Sequence, residues 1–287
     1  MNRVDIRGRW VLVTGASTGI GRAISESLAS CGVRVIACAR SQTDISALSA
    51  IPHITGLRMD VTCSAEIEDV AEWLADHGVQ LFAIINNAGI AVGGPMLTLP
   101  ESELDACLRV NTMGPVNVIR ELYPFLEEDG CIINMSSMGA RYVTPWMAPY
   151  HMSKFALEAY TDSLRMELSP FGTRVVIIEP GAVKTEAFAK WDRLLGHMQD
   201  TIYETAFHRY WDMITEQHQH ALDPMRIAQV VIKVLQDPKP RKRYLVLHRP
   251  MVWVVIVLAK LGLSDLVYRR FLREVKEVPP SYFMDHK

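Results

Sequence analysis

Trp10-Val11-Leu12-Val13-Thr14-Gly15-Ala16-Ser17-Thr18-Gly19-Ile20-Gly21 is the stretch that decides how this chain folds. Trp10 to Val13 are apolar and β-branched, as in a strand buried on both faces. Beyond the glycines, Ile24 and Leu28 recur at helical spacing until Gly32 ends the segment. A strand passing into a helix through a glycine-rich turn is the opening unit of an alternating sheet. The glycines allow tight curvature and close backbone approach. The first N–H groups of the helix have no internal partner and face an anion such as a pyrophosphate.

The alternation continues along the chain. Val33–Ala39, Gly56–Val61, Leu81–Ile85, Cys131–Met135, Arg174–Ile178 and Tyr244–Leu247 read as further strands. Between them fall a short helix near Ile45 and Leu48, a helix Ala65–Asp76 capped by Ser64, and a long helix from Ser102 to Leu126. Another helix surrounds Tyr150, and Asp223-Pro224 opens one more, with Asp as cap and Pro at the first position. The pattern predicts an α/β fold, a doubly wound parallel sheet covered on both faces. No internal repeat or inter-domain linker interrupts it. The expected organisation is one catalytic domain over 1–250, with a helical lid at 182–222, and an apolar extension over 251–287.

With 287 residues, 49% of them hydrophobic, the chain can bury a sizeable core. A net charge of −2 excludes the basic footprint of a nucleic-acid binder. Cys31, Cys38, Cys63, Cys107 and Cys131 are scattered, with neither paired metal spacing nor a disulfide framework, and read as small buried hydrophobes in a reducing compartment. No metal site is expected. The first residues lack the apolar segment of a signal peptide, so a cytoplasmic location is the expectation.

Tyr150-His151-Met152-Ser153-Lys154 carries the chemistry. Residues four apart share a helix face, so Tyr150 and Lys154 project side by side. A phenol loses its proton near pH ~10, and an adjacent ammonium lowers that value. Such a tyrosine can exchange a proton with an alcohol or carbonyl near neutral pH. Ser137 lies thirteen residues upstream, at the end of the fifth strand.

The spacing Gly15-x3-Gly19-x-Gly21 differs from the Gly-x-Gly-x-x-Gly of other dinucleotide folds, and here the chain resembles the short-chain dehydrogenase/reductase family. The resemblance runs from about residue 8 to 250. It takes in Asn87-Ala88-Gly89 after the fourth strand, Asn111 in the long helix, Ser137, Tyr150 and Lys154. Pro180-Gly181 with Val183 and Thr185, after the sixth strand, completes it. The branch it resembles holds hydroxysteroid and retinol dehydrogenases.

That resemblance implies the following roles. Gly15, Ser17, Thr18, Gly19, Ile20 and Gly21 cradle a nicotinamide dinucleotide. Asp60 and Val61 hold the adenine, Asn87 to Gly89 the adenosine ribose, and Pro180 to Thr185 the nicotinamide side. Ser137 binds the substrate oxygen, Tyr150 is the acid/base, Lys154 acidifies it and bonds the ribose, and Asn111 holds a water of the proton relay. A homodimer or homotetramer, paired through the helices at 102–126 and 150–169, is implied as well.

No carboxylate stands at the end of the second strand, where Ala39-Arg40-Ser41 lies instead. Arg40 and Ser41 suit a 2′-phosphate, so NADP(H) is favoured and NAD(H) stays open. Val143, Trp146 and Met147, with Phe188 and Trp191 in the lid, point to a small hydrophobic substrate, a steroid, retinoid or other lipid-like ketone, aldehyde or alcohol. Tyr203, Phe207, Tyr210 and Trp211 add a helical stripe, read as pocket wall or as packing for the lid. The apolar run Met251–Ala259, too short to cross a bilayer, leaves two readings open. One is an interfacial helix in peripheral membrane contact; the other is packing against protein. The rival to an enzyme is a catalytically idle nucleotide-binding sensor or membrane-associated scaffold.

Overall fold

The computed structural model describes residues 3–185, 196–249 and 252–263, together with 268, 269, 272, 273, 275, 278 and 279. Seven strands form one sheet: β1 (Trp10–Val13), β2 (Arg34–Ala39), β3 (Ile54–Arg58), β4 (Leu81–Asn86), β5 (Leu126–Met135), β6 (Arg174–Pro180) and β7 (Arg243–Val246). Their order is β3-β2-β1-β4-β5-β6-β7, all neighbours parallel. The chain builds outward from β1 to β3, then returns to place β4 on the other side of β1. At that reversal a crevice opens beyond the strands' carboxyl ends, the usual place for a ligand in such sheets.

Side-chain alternation sorts each strand between two cores. Val11 and Val13 point to one face, with Ile24 and Leu28 of α1 (Gly19–Ser30) and Ile227 and Val231 of α8 (Pro224–Gln236). Leu12 and Ile36 point to the other, under Ile67, Val70 and Leu74 of α3 (Ser64–Asp76) and Val118 of α5 (Gly114–Leu122). Asp223 caps α8 as its sequence predicts, its carboxylate accepting from the Met225 N–H at 2.8 Å.

Several boundaries differ from the sequence reading. β3 ends at Arg58, which leaves Asp60 and Val61 beyond the strand. Cys63, not Ser64, occupies the cap of α3, and no side chain caps that helix. The long helix is broken. α4 (Glu101–Leu108) passes through a π-helical turn at Arg109–Met113 into α5, and β5 already begins at Leu126. The cause is Pro115, which has no N–H to offer the carbonyl of Asn111. The Gly114 N–H then bonds Arg109 O, five residues back, and the turn widens.

After β6 the chain enters the lid segment, whose two ends pair. Val183 bridges Leu222, the Lys184 N–H donates to Leu222 O at 2.8 Å, and the Leu222 N–H donates to Ala182 O at 2.9 Å. Between them lies α7 (Glu204–Gln219). Phe207 and Tyr210 on α7 are fully buried against Trp146, Met147 and Met198, so much of the aromatic stripe holds the lid down. Tyr268 and Val275 of the tail join the same cluster. A further helix, α9 (Val252–Lys260), buries Ile256 and exposes Trp253, Val254 and Val257. Among the described residues no helix is long and apolar enough to cross a membrane.

Candidate active site

The glycine turn sits at the reversal between β1 and β4 and is locked by the strand beside it. The Thr14 hydroxyl accepts from the N–H groups of Asn87 and Ala88, each at 3.0 Å. The Asn87 amide donates back to Thr14 O at 3.0 Å and Gly15 O at 3.1 Å. Asn87 is thus the clamp that sets the turn's shape. Gly15 has φ +62°, and a Cβ there would lie 2.8 Å from Ala88 Cα. A Cβ on Gly21 would lie 2.2 Å from Gly15 O. Thr185 packs over Gly19 at the lid's neck. Beside it a concavity of ≈ 410 Å³ opens, lined in part by Gly19, Arg22, Lys184 and Thr185. Ser17, Thr18 and Ile20 complete the mouth of α1, and the helix itself has no side-chain cap at Thr18. This backbone cradle, held open by absent side chains and ending on unpaired N–H groups, fits a dinucleotide's pyrophosphate.

The adenosine end is more occupied by its own contacts than the sequence suggests. Ser41 is the cap of α2 (Gln42–Ser49): it accepts from the Asp44 N–H at 3.1 Å and donates to the Asp44 carboxylate at 2.6 Å. Arg40 is exposed, with its guanidinium 3.7 Å from the Asp60 carboxylate. Asp60 accepts from both the N–H and the hydroxyl of Thr62, at 2.9 and 2.7 Å. Partial burial pushes the Asp60 carboxyl up, but the Thr62 bonds and Arg40 outweigh it and hold it below its ordinary value. Val61 is buried against Gly114. Gly89 lies near Asn111 and Lys154: a Cβ there would be 3.2 Å from Asn111 Oδ1 and 3.7 Å from Lys154 Nζ.

Ser137, Tyr150 and Lys154 converge where β5 ends against α6 (Ala148–Leu168). Ser137 is buried, borders Gly139 together with Tyr150, and accepts from the Gly139 N–H at 3.0 Å. Lys154, 5% exposed, donates to Met135 O at 2.9 Å, and its Nζ lies 5.9 Å from the Tyr150 ring centre. Ser136 points the other way, donating to Glu158 at 2.9 Å, as strand alternation requires.

The electrostatics correct the sequence reading. Burial pushes the Tyr150 hydroxyl above its ordinary value, and the Ser137 hydrogen bond only partly offsets it. Lys154 is itself pulled down to about 8 by burial, with Cys107 and Glu158 opposing. The dry surroundings outweigh the neighbouring ammonium. The phenol is therefore protonated at neutral pH.

Asn111 is braced rather than free. Its Oδ1 accepts from the Ile90 N–H at 2.8 Å, and its amide donates to Ile90 O at 2.8 Å and Ser153 Oγ at 2.9 Å. Its main-chain carbonyl is the one that Pro115 cannot bond.

Of the substrate-side candidates, Val143 is exposed, whereas Trp146 and Met147 are buried under the lid. Trp146 makes edge contacts with Phe207 and Tyr210, centroids 5.6 and 5.4 Å away. Its backbone has φ +62°, a strained region for a bulky residue, and its carbonyl is tied by the Gly94 N–H at 2.7 Å. Both also serve as foundation for the lid, in a cluster against which Tyr150 packs. Phe188 and Trp191 lie outside the described residues.

Residues missed in the sequence also shape the site. His151 links Gly139 O, through Nδ1 at 2.7 Å, to the Thr144 N–H, which donates to Nε2 at 3.1 Å. A backbone N–H can only donate, so Nε2 accepts and Nδ1 carries the proton. The Tyr210 hydroxyl, from the lid, donates to Thr144 Oγ1 at 3.0 Å. Gly139 is the sequence signal: a Cβ there would crowd His151, Tyr150 and Ser137. Among the described residues no cluster of His, Cys, Asp or Glu is placed to hold a metal ion.

Comparison with known proteins agrees with this geometry. The short chain dehydrogenase family model matches residues 9–194. The chain is 28% identical to the 3-ketodihydrosphingosine reductase of Bacteroides thetaiotaomicron over 92% of its own length and 96% of that protein's. It is 36% identical to human retinol dehydrogenase 5 over 61% of its length and 57% of the relative's. The crystal structure of a short-chain dehydrogenase from Streptomyces avermitilis superposes with a TM-score of 0.72 at 26% identity, covering 94% of this chain and 99% of that one. With a glycine cradle at the sheet's reversal and a Ser-Tyr-Lys group beside it, the chain belongs to the short-chain dehydrogenase/reductase family.

Proposed function

We propose that this protein is an NADP(H)-dependent oxidoreductase that interconverts a hydrophobic ketone or aldehyde and its alcohol. One observation carries the reading: Tyr150 stands with Ser137 around Gly139 at the carboxyl end of β5, beside the buried amine of Lys154. The bound nicotinamide supplies or accepts the hydride. Gly15 to Gly21, Asn87 to Gly89 and Pro180 to Thr185 would hold it. In the reducing direction Ser137 hydrogen-bonds the carbonyl oxygen and Tyr150 donates its proton to that oxygen. In oxidation the same groups run in reverse. Lys154 would orient the ribose, and Asn111, its side chain fixed by Ile90 and Ser153, would offer the main-chain carbonyl that Pro115 leaves without its i+4 donor to a water of the proton path. The catalytic unit is read as 1–250 with the lid 182–222, and 251–287 as an extension whose Tyr268 reaches the lid.

NADP(H) is favoured over NAD(H) because Arg40 is exposed at the end of β2, and the next acid along the chain, Asp44, is engaged by Ser41. The aromatic lid cluster and the similarity to a ketodihydrosphingosine reductase and a retinol dehydrogenase support a lipid-like substrate. The test is a screen of long-chain, steroid and retinoid carbonyls that follows NADPH absorbance, with KM compared for NADPH and NADH. Turnover with a lower KM for NADPH is expected. Tight nucleotide binding without turnover of any carbonyl or alcohol would move the protein to the nucleotide-sensor reading, and a strong NADH preference would defeat the role of Arg40.

Two apolar surfaces support further parts of this reading. Trp253, Val254, Val257, Leu261 and Leu263 are exposed around α9 with Lys260 beside them, which suits peripheral contact with a membrane that holds the substrate. Met113 on the π-helical turn, and Met152, Phe155 and Met166 on α6, are exposed too, which suits a homodimer or homotetramer. Flotation with anionic liposomes at low salt should carry the protein upward, and sedimentation should give a dimer or tetramer. Protein left at the bottom of the gradient, or a monomer, removes the corresponding part.

A further inference from the structure

Three consecutive residues at the end of β5 each meet a turn of α6. Ser137 stands beside Tyr150 at Gly139, Met135 O accepts from Lys154 at 2.9 Å, and the Ser136 hydroxyl donates to Glu158 Oε1 at 2.9 Å. Tyr150, Lys154 and Glu158 are spaced four apart, so they form one stripe along the helix. The first two belong to the proton-transfer group proposed above. The third has no part in it, yet it is buried and held with as much care.

Glu158 is 8% exposed, and the groups that face it come from every element packed there. Arg243 of β7 bonds both Glu158 and, on α6, Asp162, and reaches Glu179 Oε1 of β6 at 3.2 Å. Arg141 pairs with Glu179 at 2.6 Å, and Arg165 with Asp162 at 2.7 Å. Lys154 stands one helical turn before Glu158. Glu179 is fully buried and immediately precedes Pro180-Gly181, on the nicotinamide side. Carboxylates in a dry interior persist only when paired and hydrogen-bonded, and losing one partner from such a network costs more than the pair contributes.

We propose that Glu158 is a positioning residue that keeps the Lys154 amine in its ammonium form inside the buried site, while Ser136 and Arg243 hold the carboxylate in place. The inference rests on the proposed function only for what the ammonium then does. Burial pulls Lys154 down, and Cys107 of α4 and then the Glu158 carboxylate one turn away oppose it. Burial and the neighbouring Glu179 push Glu158 itself up to about 7. An uncharged residue of the same shape would fill the space, satisfy Ser136 and supply none of this.

Glu158→Gln separates the two roles, since the carboxamide oxygen still accepts from Ser136. Protein labelled with ¹³Cε-lysine is titrated by NMR, and the Lys154 signal is assigned by its loss in Lys154→Arg. In E158Q the Lys154 titration should move down by about one pH unit, a tenfold loss of proton affinity. Ser136→Ala, which breaks the hydrogen bond but keeps the charge, should move it far less. An unmoved titration in E158Q, or equal shifts in both variants, would overturn the proposal. Where E158Q does not fold, Glu158→Asp draws the charge back by one methylene, and the same two results decide with a smaller shift. The titration needs neither substrate nor turnover. A wild-type protein that shows this coupling but reduces no carbonyl would lose the functional reading and keep this one.

Discussion

Tyr150→Phe is expected to lower kcat by about 10²–10⁴-fold, the contribution of a positioned acid/base, with cofactor affinity unchanged. The phenyl ring keeps its place beside Lys154, whose Nζ lies 5.9 Å from the ring centre. Only the hydroxyl that meets Ser137 is lost. The buried lysine retains its bond to Met135 O at 2.9 Å, so the ribose side is undisturbed. Steady-state kinetics together with a fluorescence titration of NADPH read both quantities. Because burial holds the phenol above its ordinary value, the carbonyl-reducing rate should also be level through neutral pH. A variant that turns over within a few-fold of the parent would remove Tyr150 from the chemistry.

Gly21→Ala should abolish cofactor binding and destabilise the fold by about 3 kcal/mol or more, at the upper end of overpacking effects. The added methyl would stand 2.2 Å from Gly15 O and 2.5 Å from the Asn87 amide nitrogen. The first is backbone, and the second, a side-chain end, is held by two hydrogen bonds. Gly15 is fixed at φ +62° against Ala88, and Asn87 is spent on Thr14 O and Gly15 O. Relief therefore requires the turn to open, which moves the N–H groups meant for the pyrophosphate. Thermal unfolding and an NADPH titration on the same sample would check it. A stable variant that binds NADPH normally would show that the turn tolerates a Cβ and that the cradle argument is mistaken.

The two predictions differ in how far they were legible in the chain. Glycines at 15, 19 and 21 report a local backbone demand, and a tyrosine four residues before a lysine on a helix must share its face. Both are short-range facts, so residue order determines them. The alternation of strands and helices likewise implied the sheet, and the reversal between β1 and β4 then placed the cradle and the Ser-Tyr-Lys group at one edge. Ser136 and Ser137 were separable for the same reason, since neighbours on a strand end point apart.

The break at Arg109–Met113 was written in Pro115, but its effect falls four residues earlier, on Asn111, where helical periodicity gives no warning. Ser41 read as a phosphate contact until the start of α2 claimed it as a cap. Trp146 and Met147 read as pocket wall, and their packing under α7 became visible only in the folded chain. What residue order by itself determined is the identity and mutual spacing of the reacting groups, because these depend on backbone conformation over a single turn. Their ionisation was decided by tertiary structure alone. The sign of the Tyr150 shift follows from how much protein surrounds the hydroxyl, and Glu158 meets Arg243 across a separation of 85 residues. Burial and long-range charge pairing arise only when distant segments exclude water together, and no local pattern encodes that.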